Sequence, residues 1–377
     1  MVWVHAASVG EALTAVPVCR RLKRASPGCT VVLTHTSPSV EQWPGGWPVD
    51  RADYLPPDLP GPMRAMLDAL RPRLLVFSRA DVWPELCTAA MDRGIPVAIV
   101  GAAVRPRSGR LAWPARAMLH AVYAPIAYAG AASHADAARL ARLGVRPAAL
   151  EVTGDPRHDQ VLEHVPDGSV LRQLGDWAVA GEVLVAGSTE PTDEPLLLRA
   201  FAQLHQRRPT ARLLVCPHDP GPRRSHRIAA EARRHGLEAL AWRAGSPPPA
   251  APCLIPERSG VLGSLYALGA LAYVGGGFGA RGVHAVIEPA SYAVPLIVGP
   301  RGHGEDTVAL LRAGGAVALP RKDPAPALVH AWEAWLADGT ARVRAGLAAR
   351  RLLAAGAAQR TAARLLEQMD KRLTADR

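Results

Sequence analysis

Leu271-Ala272-Tyr273-Val274-Gly275-Gly276-Gly277-Phe278-Gly279-Ala280-Arg281-Gly282-Val283-His284-Ala285-Val286-Ile287-Glu288-Pro289-Ala290 reads as an apolar strand, a glycine-rich loop, and a helix beginning near His284. Glycines let a backbone approach a ligand closely, and the N–H groups of a helix start, with the positive end of its dipole, favour an anion. The order strand, loop, helix therefore points to a phosphate held on Gly275, Gly276 and Gly277. Glu288, about one helical turn in, is placed to accept hydrogen bonds from sugar hydroxyls such as those of a ribose. The bland alternative is a tight turn with a solvated carboxylate, and only agreement with other stretches decides between the two.

The same rhythm extends outward from this block. In the first half, apolar runs at Val2–Val4, Thr30–Thr34, Arg73–Phe77 and Pro96–Val100 alternate with helical patterns at Leu13–Arg24, Met63–Leu70 and Pro84–Arg93. In the second half, runs at Val183–Ala186, Arg212–Val215, Cys253–Pro256, Leu271–Val274 and Pro295–Val298 alternate with helices at Pro195–Gln206 and near Arg223–His235. Strand-helix alternation of this kind predicts parallel, doubly wound α/β sheets, with ligands at the carboxyl ends of the strands. Two such halves predict two Rossmann-like domains facing across a cleft. Turn-forming residues between Pro156 and Gly181 mark the seam, and Arg342–Leu373 is Ala/Leu/Arg-rich at helical spacing, as in a terminal helix pair.

Composition bounds the function without choosing it. With 377 residues, 49% of them apolar and 20% charged, the chain is globular and long enough for two cores. Lys and Arg outnumber Asp and Glu by 44 to 33, a formal charge of +11, which favours an anionic partner: nucleic acid, an acidic membrane surface or a phosphorylated substrate. Nucleic acid is disfavoured, because aromatics are only 5% and no helix-turn-helix, RNA-recognition or zinc-finger pattern appears. Five scattered cysteines without a Cys-x-x-Cys pair argue against a disulfide framework and a zinc site. No apolar run approaches the ~20 residues needed to span a bilayer. The absence of Gly-x-x-x-x-Gly-Lys-[Ser/Thr] excludes a P-loop nucleotidase.

Other strand ends carry weaker signals of the same sense. His5-Ala6-Ala7-Ser8-Val9-Gly10-Glu11 closes the first strand with small residues and places Glu11 in the first helical turn, a position that suits a general base and equally a dipole-compensating Glu. Asp81-Val82-Trp83-Pro84-Glu85 follows the strand ending at Phe77, where Asp81 is either functional or a helix cap. Gly187-Ser188-Thr189 and Pro217-His218, with Arg223 and Arg224 behind it, end strands of the second half and again suit a phosphate. An epimerase of nucleotide sugars on the same two-domain scaffold would use such a cleft too.

Taken in order, His5–Glu11, Asp81-Val82-Trp83-Pro84, Gly187-Ser188-Thr189, Pro217-His218, Gly260 with Leu265-Tyr266, and Val274-Gly275-Gly276 through His284, Glu288-Pro289-Ala290 and Gly299-Pro300 resemble the 3-deoxy-D-manno-octulosonic acid (Kdo) transferases over nearly the whole chain. The resemblance implies an inverting glycosyltransferase of the GT-B fold that moves Kdo from CMP-Kdo to a lipid A precursor in lipopolysaccharide synthesis, with no metal and no cofactor. It implies an acceptor-binding domain over 1–165, a donor-binding domain over 166–345, and helices over 346–377 returning to the first domain. Glu11 matches the catalytic base. Gly187, Ser188, Thr189, His218, Gly275, Gly276, Gly277, His284 and Glu288 match donor-binding positions, and Ser8, Gly10, Asp81, Arg107 and Ser108 match acceptor-binding ones. The chain departs from the family pattern at Arg79, at Gly101–Arg105 and at Ala285.

Members of this family usually begin with an apolar anchoring segment, and here the first strand starts directly after Met1. Either the start of this chain omits that segment or this member attaches only peripherally; the expected location is the cytoplasmic face of the inner membrane. Its anionic surface would be met by Arg20, Arg21, Lys23 and Arg24, by Arg105, Arg107 and Arg110, and by Trp43 and Trp47 as interfacial anchors.

Overall fold

The computed structural model describes residues 1–41, 47–179, 181–280 and 282–375, with side chains as far as residue 371. Trp43 and Arg281 lie outside the described residues. The chain forms two compact units, one of Met1–Glu163 with Ala354–Arg377 and one of His164–Leu353.

The first unit runs β1 (Val2–His5), α1 (Val9–Ala25), β2 (Val31–His35), β3 (Arg51–Tyr54), α2 (Pro60–Leu70), β4 (Leu74–Ser78), α3 (Pro84–Met91), β5 (Val97–Ala102), α4 (Ala115–Tyr123), β6 (Tyr128–Ala131), α5 (His134–Leu143), β7 (Leu150–Val152) and α6 (Pro156–Leu162). Its described strands are all parallel, in the order β3-β2-β1-β4-β5-β6-β7. Helices cover both faces, so the inner strands are apolar throughout: β4, Leu-Leu-Val-Phe-Ser, is buried at every position. Trp3 is fully buried in β1, and its indole N–H donates to the Thr34 hydroxyl at 2.8 Å, so the one polar atom of that ring is satisfied inside the core.

The second unit runs α7 (Gly168–Val179), β8 (Val183–Thr189), α8 (Glu194–Arg207), β9 (Arg212–Pro217), α9 (Pro222–Arg234), β10 (Ala239–Trp242), β11 (Cys253–Pro256), α10 (Leu262–Tyr266), β12 (Leu271–Val274), α11 (Ile287–Ser291), β13 (Leu296–Val298), α12 (Glu305–Arg312), β14 (Ala316–Ala318), α13 (Pro324–Ala337) and α14 (Gly339–Arg351). Its described strands are again parallel, in the order β10-β11-β9-β8-β12-β13-β14. The chain then returns to the first unit as α15 (Ala357–Ala375), whose Ala358, Ala362, Leu365 and Met369 join Val2, Val4, Leu22 and Val31 in one core. The units divide at Glu163/His164 and Leu353/Ala354 rather than at 165 and 345, because α14 stays with the second unit, where Gly346 lies against the main chain of Ala293.

Each sheet has a topological switch point, where successive connections leave toward opposite edges. In the first unit it lies between β1 and β4, and in the second between β8 and β12. All five cysteines are buried free thiols. No described helix is long and apolar enough to cross a membrane.

Candidate active site

At the first switch point, α1 opens with Ser8 as its N-cap, the hydroxyl accepting from the Glu11 N–H at 3.4 Å. That bond holds Glu11 in the first turn, where the helix dipole favours a negative charge. The Ser78 hydroxyl at the end of β4 donates to the Glu11 carbonyl at 2.6 Å, tying the helix start to the neighbouring strand. Burial, and after it the charge of Asp81, raise the proton affinity of the Glu11 carboxylate. Its Oε2 is buried and meets no hydrogen-bond partner among the described residues.

Asp81 does not cap the helix that follows it. Asp58 does so, accepting from the N–H groups of Glu85 at 3.1 Å and Leu86 at 2.9 Å. Asp81 is ion-paired with Arg110 instead, so sequence reading placed Arg110 in a basic surface patch without seeing that its charge is spent on Asp81. Beneath them His5 is buried, its ring edge-on to Trp83 with centroids 5.3 Å apart, and burial lowers its pKa to about 4. It is thus a neutral packing group at physiological pH.

The remaining acceptor candidates are spread out. Gly10 is exposed with open space around its α-carbon, and Arg107 is exposed. The Ser108 hydroxyl accepts from the Arg110 N–H at 3.4 Å at the start of a short 3-10 turn, Gly109–Leu111, which is a structural bond. Arg79, where the chain departs from the family pattern, pairs with Asp155 at 3.1 Å; burial of Asp155 is outweighed by Arg157 and Arg79, and its pKa falls to about 2.

At the second switch point the glycine-rich segment is packed backbone against backbone. A Cβ on Gly277 would stand 2.5 Å from the Gly299 α-carbon, so only glycine fits where these two loops cross. Gly276 has φ +94°, a left-handed conformation, and its N–H donates to Asp193 Oδ2 at 2.8 Å. Asp193, fully buried, also accepts from the Glu190 N–H at 2.8 Å and the Tyr273 hydroxyl at 2.8 Å, and so pins three segments together. The sequence reading missed this residue, whose only signal was an acid just before a helix.

Two corrections follow for the anion site. The helix after the loop begins at Ile287 and is five residues long, Ile287–Ser291, so it does not start near His284 and Glu288 is its second residue. A helix that short offers little dipole, and the Gly276 N–H is already engaged, which leaves the N–H groups of Gly277 and Phe278, without acceptors among the described residues, as the free donors next along the loop. The Thr189 hydroxyl is buried and donates to Glu194 at 3.2 Å, so it faces the core. Ser188 is half-buried at φ +49°, at an irregularity between β8 and β9.

Glu288 is half-buried, burial raises its pKa to about 7, and its carboxylate has no cationic or hydrogen-bonding partner among the described residues. A carboxylate left so is suited to accept from a ligand's hydroxyls. The His284 ring lies 3.0 Å from Glu190 through Nε2 and stacks on His218, centroids 4.4 Å apart and 15° from parallel. The structure thus brings His218, His284, Gly275, Gly276, Gly277, Gly187 and Ser188 to one sheet edge, with Gly275 bonded through its N–H to the Gly187 carbonyl at 3.0 Å.

Residues 1–160 match the family model described as 3-deoxy-D-manno-octulosonic-acid transferase. The chain is 32% identical to the 3-deoxy-D-manno-octulosonic acid transferase of Bordetella pertussis, over 96% of this chain and 85% of that protein. It is 25% identical to that of Haemophilus influenzae, over 92% and 81% respectively. Among solved structures it is similar in fold to the UDP-GlcNAc 2-epimerase from Neisseria meningitidis bound to UDP-GlcNAc, with TM-score 0.70, 14% identity, and coverage of 97% of this chain and 99% of that one. The likeness to the epimerase is one of fold, that of GT-B proteins.

Proposed function

Given that this chain belongs to the 3-deoxy-D-manno-octulosonic acid transferase family, we propose that it moves Kdo from CMP-Kdo to a lipid A precursor, inverting the anomeric centre. The first unit supplies the base and takes the acceptor, and the second unit holds the donor. The acceptor hydroxyl attacks the anomeric carbon from the face opposite the phosphate. A new oxygen–carbon bond forms, the bond to phosphate breaks, the hydroxyl proton passes to Glu11, and CMP departs with the bonding pair.

The observation that carries this reading is the setting of Glu11. A carboxylate whose proton affinity is raised by burial is a stronger base than one in water, and Oε2 without a partner is ready to receive a proton. Arg110 pairs with Asp81 beside it, which offsets part of the negative charge that raises the proton affinity of Glu11. Glu288 accepts from the ribose hydroxyls of the donor, and the N–H groups of Gly277 and Phe278 meet its phosphate. Transfer by this route needs no metal ion.

The peripheral attachment belongs to the same proposal. Incubation with CMP-Kdo and a tetra-acylated lipid A disaccharide, followed by mass spectrometry of the lipid, is the test. A lipid heavier by Kdo is expected, and an unchanged lipid with a folded, CMP-binding protein would overturn the assignment.

A further inference from the structure

Glu190, His218 and His284 come from three separate segments: the residue after β8, the residue after β9, and the loop that follows β12. Each is fixed through its main chain. The Glu190 N–H donates to Asp193 at 2.8 Å, the His218 N–H to the Thr189 carbonyl at 3.0 Å, and the His284 N–H to the Gly275 carbonyl at 3.1 Å. One oxygen of the carboxylate and one nitrogen of each ring all lie within 4.8 Å of one another, the one such group of potential metal ligands among the described residues.

Two imidazoles and one carboxylate are a borderline donor set. Mg2+ and Ca2+ prefer oxygen ligands throughout, whereas Zn2+, Co2+ and Ni2+ bind imidazole readily, and His2Glu is a common zinc set that keeps a fourth position open. Ligand atoms about 2.1 Å from a tetrahedral ion stand roughly 3.4 Å apart. His284 Nε2 and Glu190 Oε1 are already at 3.0 Å, so rotation of the His218 side chain supplies what remains. His218 is exposed, which gives the ion a way in and leaves the open position to water.

We propose that Glu190, His218 and His284 form a binding site for one divalent ion of the zinc class in the second unit. The inference rests on side-chain geometry alone and holds whether or not the chain transfers Kdo. The ion joins the ends of β8 and β9 to the loop after β12, and because the unfolded chain scatters these ligands over 95 positions, Glu190 to His284 inclusive, binding favours the folded unit.

The full chain, free of any histidine tag and stripped of metal, is titrated with Co2+ in the absence of nucleotide. We expect one Co2+ per chain with visible absorption of a tetrahedral site, displacement by Zn2+, and a melting temperature several degrees higher with Zn2+ than without. His218→Ala and Glu190→Gln each weaken Co2+ binding at least tenfold and abolish the Zn2+-dependent rise in melting temperature. Because His218 is exposed, its alanine variant keeps the fold, which far-ultraviolet circular dichroism checks. Absence of one-to-one binding below about 100 µM Co2+, or equal binding by wild type and His218→Ala, would overturn the proposal; the first outcome makes the cluster a packing arrangement that holds no ion, and the second puts the ion on another histidine.

Discussion

Replacing Glu11 with Gln exchanges one oxygen for an amide nitrogen and leaves volume and shape almost unchanged, so it isolates the proton-accepting role. Loss of a positioned general base slows a reaction by about 100-fold or more, roughly 2.7 kcal/mol of barrier at 1.36 kcal/mol per tenfold. CMP affinity stays within about twofold, since Glu11 is in the first unit and the residues proposed to hold the donor are in the second. Stability moves in the opposite direction to activity. The folded carboxyl has a higher proton affinity than the unfolded one, so its contribution is fully present below about pH 4.5 and is lost as the pH rises through the folded value. The Gln variant has no such loss. Melting curves of the two proteins therefore coincide near pH 4, and the variant melts higher at pH 7.5. The amide still leaves a polar atom in the same partnerless slot, which limits the gain to about 1 kcal/mol, or some 2–4 °C for a unit of this size. The paired measurement is Kdo transfer by mass spectrometry and thermal melting at the two pH values. Transfer at near wild-type rate refutes the role of Glu11, and a fall in melting temperature alongside lost activity refutes the reasoning about its environment.

Glu288→Ala weakens CMP binding by about 1.5–3 kcal/mol, measured by calorimetry, and EDTA leaves transfer unchanged. Because burial holds Glu288 near pKa 7 and a ribose hydroxyl favours the ionised form, CMP binds more tightly as the pH rises through about 7 and releases a proton below it; a pH-independent affinity contradicts this. Gly277→Ala forces a Cβ to within 2.5 Å of the Gly299 α-carbon, costing about 1–3 kcal/mol of stability and at least tenfold in CMP affinity, as thermal melts and calorimetry will register. Arg20 bonds to Gln160, Arg21 to Glu163 and Lys23 to Asp50, so that cluster is largely spent, whereas Arg105, Arg107 and Arg116 are exposed, as are Trp113 and Met118. Neutralising these three arginines lowers binding to anionic vesicles by about 100-fold at roughly 1 kcal/mol each, with salt acting likewise; salt-independent co-sedimentation sinks the idea.

Inner strands were legible because burial on both faces demands continuous apolar runs, as in Leu74–Phe77 and Leu271–Val274. Two other strands were not: the edge strand β3, Arg-Ala-Asp-Tyr, is exposed at every position, and the inner strand β6, Tyr-Ala-Gly-Ala, is built mostly from residues that disfavour strands. Glu11 and the glycine loop stood out as candidates because a helix start and a glycine run are local patterns. The pairing of Asp81 with Arg110, the Asp58 cap, the knot around Asp193 and the gathering of Glu190 with two histidines join residues far apart in sequence, and no local pattern encodes them. For the same reason Trp47, expected at a membrane interface, packs against the first unit's core, its indole N–H donating to the Val40 carbonyl at 3.1 Å. Nor does strand order show in a sequence, so that Glu11 and Asp81 flank one switch point while Ser188 and Gly275 flank the other emerged only from the sheets.

Helix α15 reaches its place only after the whole second unit has been made. Its first turn is received by Asp159, whose carboxylate accepts from the N–H groups of Gly356 at 2.5 Å and Ala358 at 2.9 Å, and Arg360 reaches back to the Thr153 carbonyl at 2.7 Å. On the ribosome the second unit thus has every residue of its core in hand while the first still shows bare apolar surface on one side of its sheet. Birth order and completion order are reversed: the part of the protein synthesised first is finished last.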